Sequence, residues 1–143
     1  MKRIILFAGL FLLFTNVCAQ QVSLYDSEGE ARAYIDFNEE ATIFMWDGTP
    51  VAFIEAENDE ICIFGFNGNF LGWFEDGIIY DKKGYTVGVR KGAINMVYKP
   101  ERIKGIQKIV PMRPITPLTP IQPIWRNYWS DVSLIEFLYF GKK

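Results

Sequence analysis

Seventeen carboxylates and no histidine set the chemistry open to this 143-residue chain. Without an imidazole there is no Ser-His-Asp or Cys-His nucleophile and no histidine-ligated zinc. Carboxylates are the remaining catalytic candidates. Glu55, Glu57, Asp59 and Glu60 crowd into one short stretch, and Glu75-Asp76 follows later. Two such groups flanking a glycosidic bond would act as acid and base, and clustered oxygens would suit Ca²⁺. The spacing fits neither: the alternate-position acids of a calcium loop are missing, and acidic residues between strands are the ordinary content of solvated loops. Gly65, Gly68 and Gly72 belong to a hairpin and not to a phosphate-binding loop opening a helix. No catalytic residue, metal ligand or cofactor is therefore expected.

The elements that must carry any site come from a repeat. Its copies are Leu24-Tyr25…Gly29…Ala33-Tyr34, Ile43-Phe44…Gly48…Ala52-Phe53, Ile63-Phe64…Gly68…Gly72-Trp73 and Ile79-Tyr80…Gly84…Gly88-Val89. The central glycines Gly29, Gly48, Gly68 and Gly84 stand 19, 20 and 16 residues apart, so the units are tandem. Units this short cannot bury an apolar face alone and must pack on one another. Glu28, Asp47, Asn67 and Lys83 precede the glycines, and Asp-Gly or Asn-Gly between apolar runs signals a type I′ hairpin. Four hairpins with two-residue turns follow. Leu24 then faces Ala33, Ile43 faces Ala52, Ile63 faces Gly72 and Ile79 faces Gly88.

Alternation along each strand puts an aliphatic and a small residue on one face. The other face takes Tyr25, Phe44, Phe64 and Tyr80 with Tyr34, Phe53 and Trp73. These seven aromatics form either a buried face beneath another part of the chain or a platform for a ligand.

Lys2-Arg3, the apolar run Ile4 to Phe14 and Val17-Cys18-Ala19 read as a secretory signal peptide cut before Gln20. Cys18 invites a lipoprotein reading, against which stands Val17, a poor residue before a lipidated cysteine. Cleavage leaves one cysteine, Cys62, so no internal disulfide forms; a buried small residue is the expected role. No later stretch is long and apolar enough for a transmembrane helix.

Charge is split along the chain. Gln20 to Asp76 holds 13 acidic residues and one basic, while Gly77 onward holds 12 basic and four acidic. Either the halves attract each other or the basic part meets an anionic partner. An acidic hairpin region with an export signal disfavours nucleic acid.

After Tyr98, Ile103, Ile106, Ile109, Met112, Ile115, Leu118, Ile121 and Ile124 recur every three residues, with Pro111, Pro114, Pro117, Pro120 and Pro123 in step. A polyproline II helix has three residues per turn, so the aliphatics share one edge. The strip reads as intramolecular cover for the aromatic face, with presentation to a partner or membrane as the alternative. Trp125 to Phe140 ends the chain as a short helix capped by Ser130 or Ser133, or as a buried strand.

The repeat, the segment Gly72-Trp73-Phe74-Glu75-Asp76-Gly77-Ile78-Ile79-Tyr80-Asp81 and the terminal Trp129-Ser130…Leu134…Phe137-Leu138 resemble the 4-fold β-flower proteins, small exported bacterial proteins. The resemblance implies an all-β fold with four tandem hairpins as petals around a pseudo-fourfold axis. It implies no activity and carries over no catalytic residue. Val89 and Arg90 break the pattern in the fourth petal, where either an opening or an entry point for the tail would lie. The resulting organisation is a signal peptide over 1–19, a four-hairpin domain over 20–98 and an extended Pro-rich tail with a hydrophobic terminus over 99–143. The expected function is a non-catalytic binding or structural protein of the envelope, periplasmic, outer-membrane-associated or secreted. Its partner would be an envelope protein, a glycan or a lipid headgroup; the alternative is a carboxylate-dependent hydrolase acting on glycans.

Overall fold

The computed structural model describes residues 20–143; the signal-peptide reading falls outside them. Eight antiparallel strands follow one another around a closed barrel: β1 (Gln21–Tyr25), β2 (Ala31–Asp36), β3 (Thr42–Met45), β4 (Pro50–Glu57), β5 (Glu60–Gly65), β6 (Phe70–Glu75), β7 (Ile78–Tyr80) and β8 (Thr86–Arg90). One short helix, α1 (Leu134–Tyr139), lies near the C-terminus. The petals are β1–β2, β3–β4, β5–β6 and β7–β8.

The aliphatic-to-small pairings form as the repeat predicts, Leu24 with Ala33, Ile43 with Ala52, Ile63 with Gly72 and Ile79 with Gly88. They form by another route. Each turn is a three-residue loop: Asp26 N–H donates to Glu30 O at 2.9 Å and Gly29 N–H to Asp26 O at 3.0 Å, and the other petals repeat this pair. That is a type I turn with glycine in the left-handed region, Gly29 at φ 79° and Gly48 at φ 95°. The preceding Glu28, Asp47, Asn67 and Lys83 keep negative φ, which is why Glu and Lys are tolerated there. The extra loop residue shifts the register by one, and a bulge just inside each turn shifts it back.

The bulges carry Val51, Leu71 and Val87 into the core, where they join the aliphatic faces. True type I′ turns sit at the opposite end of the barrel, where Asn58-Asp59 and Asp76-Gly77 have positive φ at both positions and link β4 to β5 and β6 to β7. At the fourth petal no opening forms. Leu24 pairs with Arg90 and Tyr25 with Val89, so β8 zips onto β1 and leaves no edge strand exposed.

α1 settles the terminal ambiguity in favour of helix. Ser133 Oγ accepts from Glu136 N–H at 3.2 Å and caps it. Leu134, Phe137 and Leu138 enter the barrel's aliphatic core. The small residues in the petals make room for them and for the neighbouring strand: a Cβ on Gly88 would lie 2.9 Å from Leu134 Cδ1, and one on Gly72 would lie 2.0 Å from Tyr80 O and 3.1 Å from Phe137 Cζ. The barrel interior is thus filled by a plug drawn from the far end of the chain.

Candidate functional site

Outside the barrel, the aromatics form the second apolar layer. Tyr25, Tyr34, Phe44, Phe53, Phe64, Trp73 and Tyr80 are all buried. Their rings stack in neighbouring pairs, Tyr34 on Phe44 at 5.5 Å and Phe53 on Phe64 at 5.9 Å. The extended segment from Val97 to Trp129 runs over them as a belt. It is tied by backbone hydrogen bonds to the turns: Lys99 N–H to Gly29 O, Lys108 N–H to Gly48 O and Arg126 N–H to Gly84 O, at 2.8–2.9 Å. A Cβ on Gly29 would lie 2.0 Å from Val97 O and one on Gly48 2.0 Å from Ile106 O. Gly68 faces Pro114 and Gly84 faces Ile124. The belt therefore passes all four petals in order, pressing on the central glycines of the first, second and fourth and standing off that of the third.

Three residues per turn give the belt three edges. The edge against the barrel carries Lys104, Gln107, Val110, Arg113 and Trp125. Lys104 Nζ lies 4.6 Å from the Tyr34 ring centre and the Arg113 guanidinium 4.5 Å from that of Phe53. Gln107 Nε2 donates to Asp36 Oδ2 at 2.7 Å and Tyr34 Oη at 3.2 Å. Trp125 stacks on Tyr80 at 4.2 Å and donates its indole N–H to Glu75. At the belt's start Tyr98 meets the Tyr25 ring edge-on at 4.9 Å.

The aliphatic edge does not lie on the aromatic face, contrary to the reading of the strip as an aliphatic cover. Ile103, Ile106, Ile109, Met112, Ile115, Leu118, Ile121 and Ile124 are 86–97% exposed. The physical reason is what the barrel surface offers. Ring faces attract cations, and Asp36, Glu57 and Glu75 beside them need donors. Cationic and amide side chains satisfy both at once, and branched alkyl chains satisfy only the contact area. The cover is polar and aromatic, and the aliphatics form a ridge facing solvent.

The carboxylates are largely committed to structure. Glu60 accepts from the Trp73 indole at 3.2 Å and Glu57 from Thr116 Oγ1 at 3.4 Å. Glu30 is bound by Lys99 at 3.2 Å, Arg102 at 2.8 Å and Arg32 at 3.4 Å. The Lys99 hydrogen bond foremost holds its carboxyl below the usual value. Burial works to raise Asp26, but Arg32 at 2.9 Å and the Glu30 and Glu28 amides outweigh it and keep it low. Tyr25 is pushed up to about 12 by burial, aided by its hydrogen bond to Glu101. Cys62 is fully buried, and burial foremost pushes its thiol up to about 11, far from a reactive thiolate. Among the described residues no three of Cys, Asp and Glu gather as a metal site.

A cleft of about 710 Å³ opens between the turns of the third and fourth petals and the C-terminal segment, lined by Phe70, Asp81, Lys83, Tyr85, Trp129 and Asp131 among others. Sequence reasoning missed it, because Trp129 and Asp131 reach it only once the belt has circled the barrel. Asp81 Oδ1 is held by the Lys83 and Tyr85 amides at 2.9 and 3.0 Å. No helix of the described residues is long and apolar enough to cross a membrane.

The family model described as 4-fold beta flower protein matches residues 22–138. No curated protein and no solved structure matches the chain.

Proposed function

We propose that this chain, which belongs to the 4-fold β-flower family, is a non-catalytic binding protein exported to the bacterial envelope. The exposed aliphatic ridge carries this reading. Large contiguous apolar surface on a folded protein marks an interaction site. Here eight exposed aliphatics are held on a belt hydrogen-bonded to the turns of the first, second and fourth petals and anchored on the third through Trp125 and Glu75, so the surface is preorganised and its ordering cost is met on folding. The hydrogen-bonded carboxylates, and a Cys62 thiol pushed up by burial, support binding over catalysis.

The test is envelope fractionation of the native organism. The wild-type chain is expected to sediment with the envelope, and Ile106→Ser with Ile115→Ser is expected to release it. Equal retention of the variant would overturn the reading. One observation favours a second reading, hydrolysis of glycans: Asp81 and Asp131 line the same cleft. Release of reducing ends from envelope glycan, abolished in Asp131→Asn, would turn the assignment that way; no release is expected.

A further inference from the structure

We infer that the ridge rests on a lipid bilayer bearing anionic headgroups, an inference that names the partner for the binding role proposed above. Three features of the molecule converge on it.

The first is shape. The belt is hydrogen-bonded to the turns of the first, second and fourth petals, and its side chains reach Asp36, Glu57 and Glu75 farther down the barrel wall, so the ridge forms a raised rim around the barrel past four petals. A compact protein partner would cover one arc of such a rim. A broad lipid surface can meet more than one stretch of it. Aliphatic side chains spaced around a rim, with no groove between them, suit shallow insertion at the boundary of headgroups and acyl chains.

The second is charge on the rim. From Lys99 to Arg126 the belt holds six basic residues and one acidic, Glu101, a net of +5. Lys104 and Arg113 are turned onto aromatic rings. Arg102 and Lys99 keep 72% and 51% of their side chains exposed despite their contact with Glu30, and Lys108 and Arg126 are exposed as well. Basic residues beside inserted alkyl chains are the combination that anionic headgroups bind.

The third is the opposite end of the barrel. Because the strands are antiparallel, the connections spanning 36–41, 55–60 and 75–77 lie away from the turns; they hold nine acidic residues and no basic one. An anionic surface repels that end, so contact is favoured where the basic belt crosses the turns of the first, second and fourth petals.

Vesicle flotation of the chain from Gln20 tests this, using phosphatidylcholine vesicles with and without 30% phosphatidylglycerol. Binding to the anionic vesicles is expected, and at least tenfold weaker binding to phosphatidylcholine alone or in half-molar salt. Ile106→Asn with Ile115→Asn should weaken binding at least tenfold with an unchanged melting temperature, since both side chains are over 90% exposed. Asp59→Asn at the acidic end should not weaken it. Undiminished binding by the ridge variant would overturn the inference. So would absence of vesicle binding, whether the chain is monomeric or forms a dimer that the ridge variant dissociates. Failure on vesicles with retained, ridge-dependent envelope association would remove the lipid partner and leave the binding role standing.

Discussion

Gly48, like Gly29, does two jobs at once. Its φ of 95° closes the loop, and its missing Cβ lets Ile106 O approach to what would be 2.0 Å. Gly68 shares the backbone conformation, φ 92°, but its Cβ would meet nothing closer than Pro114 at 4.0 Å. Gly68→Ala should therefore cost about 1–3 kcal/mol for the left-handed backbone alone. Gly48→Ala should cost more, because the belt must also move. Urea unfolding of the two variants checks the order, and equal costs would mean the belt does not press on the turns. A second residue-scale prediction concerns acid. The Glu30 and Asp26 carboxyls are depressed in the folded chain. Their contribution is present above the ordinary carboxylate value of about 4 and lost as pH falls through their lower folded values. The urea midpoint should drop on acidification, and less steeply in Glu30→Gln, where Lys99 and Arg102 no longer hold a titrating group.

At the scale of elements, legibility divided according to how far a residue's partner lies along the chain. The hairpins were readable because their partners are near and the glycine period is regular. Even the wrong turn type left the register right, since loop and bulge offset each other. Val51, Leu71 and Val87 were not readable as core, because their inward placement exists only once the bulge is known. The belt's period of three was plain, but three edges are equivalent in sequence, and apolarity alone chose the wrong one. What decided was the surface beneath: aromatic faces beside carboxylates select Lys104, Gln107 and Arg113 over isoleucine. This yields a contrast to measure. Ile109→Ser should leave the melting temperature within a degree or two, as exposed positions do. Phe137→Ala inside the barrel should cost about 3–5 kcal/mol, the range for a buried phenylalanine. A strong thermal effect at Ile109 would mean the ridge is packed and not presented.

At the scale of the molecule, the C-terminal 45 residues after Tyr98 supply both the outer cover and the inner plug, so barrel and tail form one cooperative unit. Truncation after Tyr98 removes Leu134, Phe137 and Leu138 from the core; three such side chains contribute about 5–9 kcal/mol by burial. That is the size of the whole net stability of a small domain. It also strips Trp125 from Tyr80 and Arg113 from Phe53, exposing the aromatic layer. The truncated chain is therefore expected to show no cooperative thermal transition by near-ultraviolet circular dichroism, while the chain from Gln20 to Lys143 unfolds in one step. An apolar dye would not separate the two, because the intact protein already presents its ridge. The separating measurement is coincidence of probes. With Trp46, Trp73 and Trp129 replaced by Phe, Trp125 reports the belt and the far-ultraviolet signal reports the strands, so both should change at one temperature in that chain. A tryptophan transition well below the strand transition would mean that the belt peels from a barrel able to stand without it, and a cooperative melt of the truncated chain would mean the same.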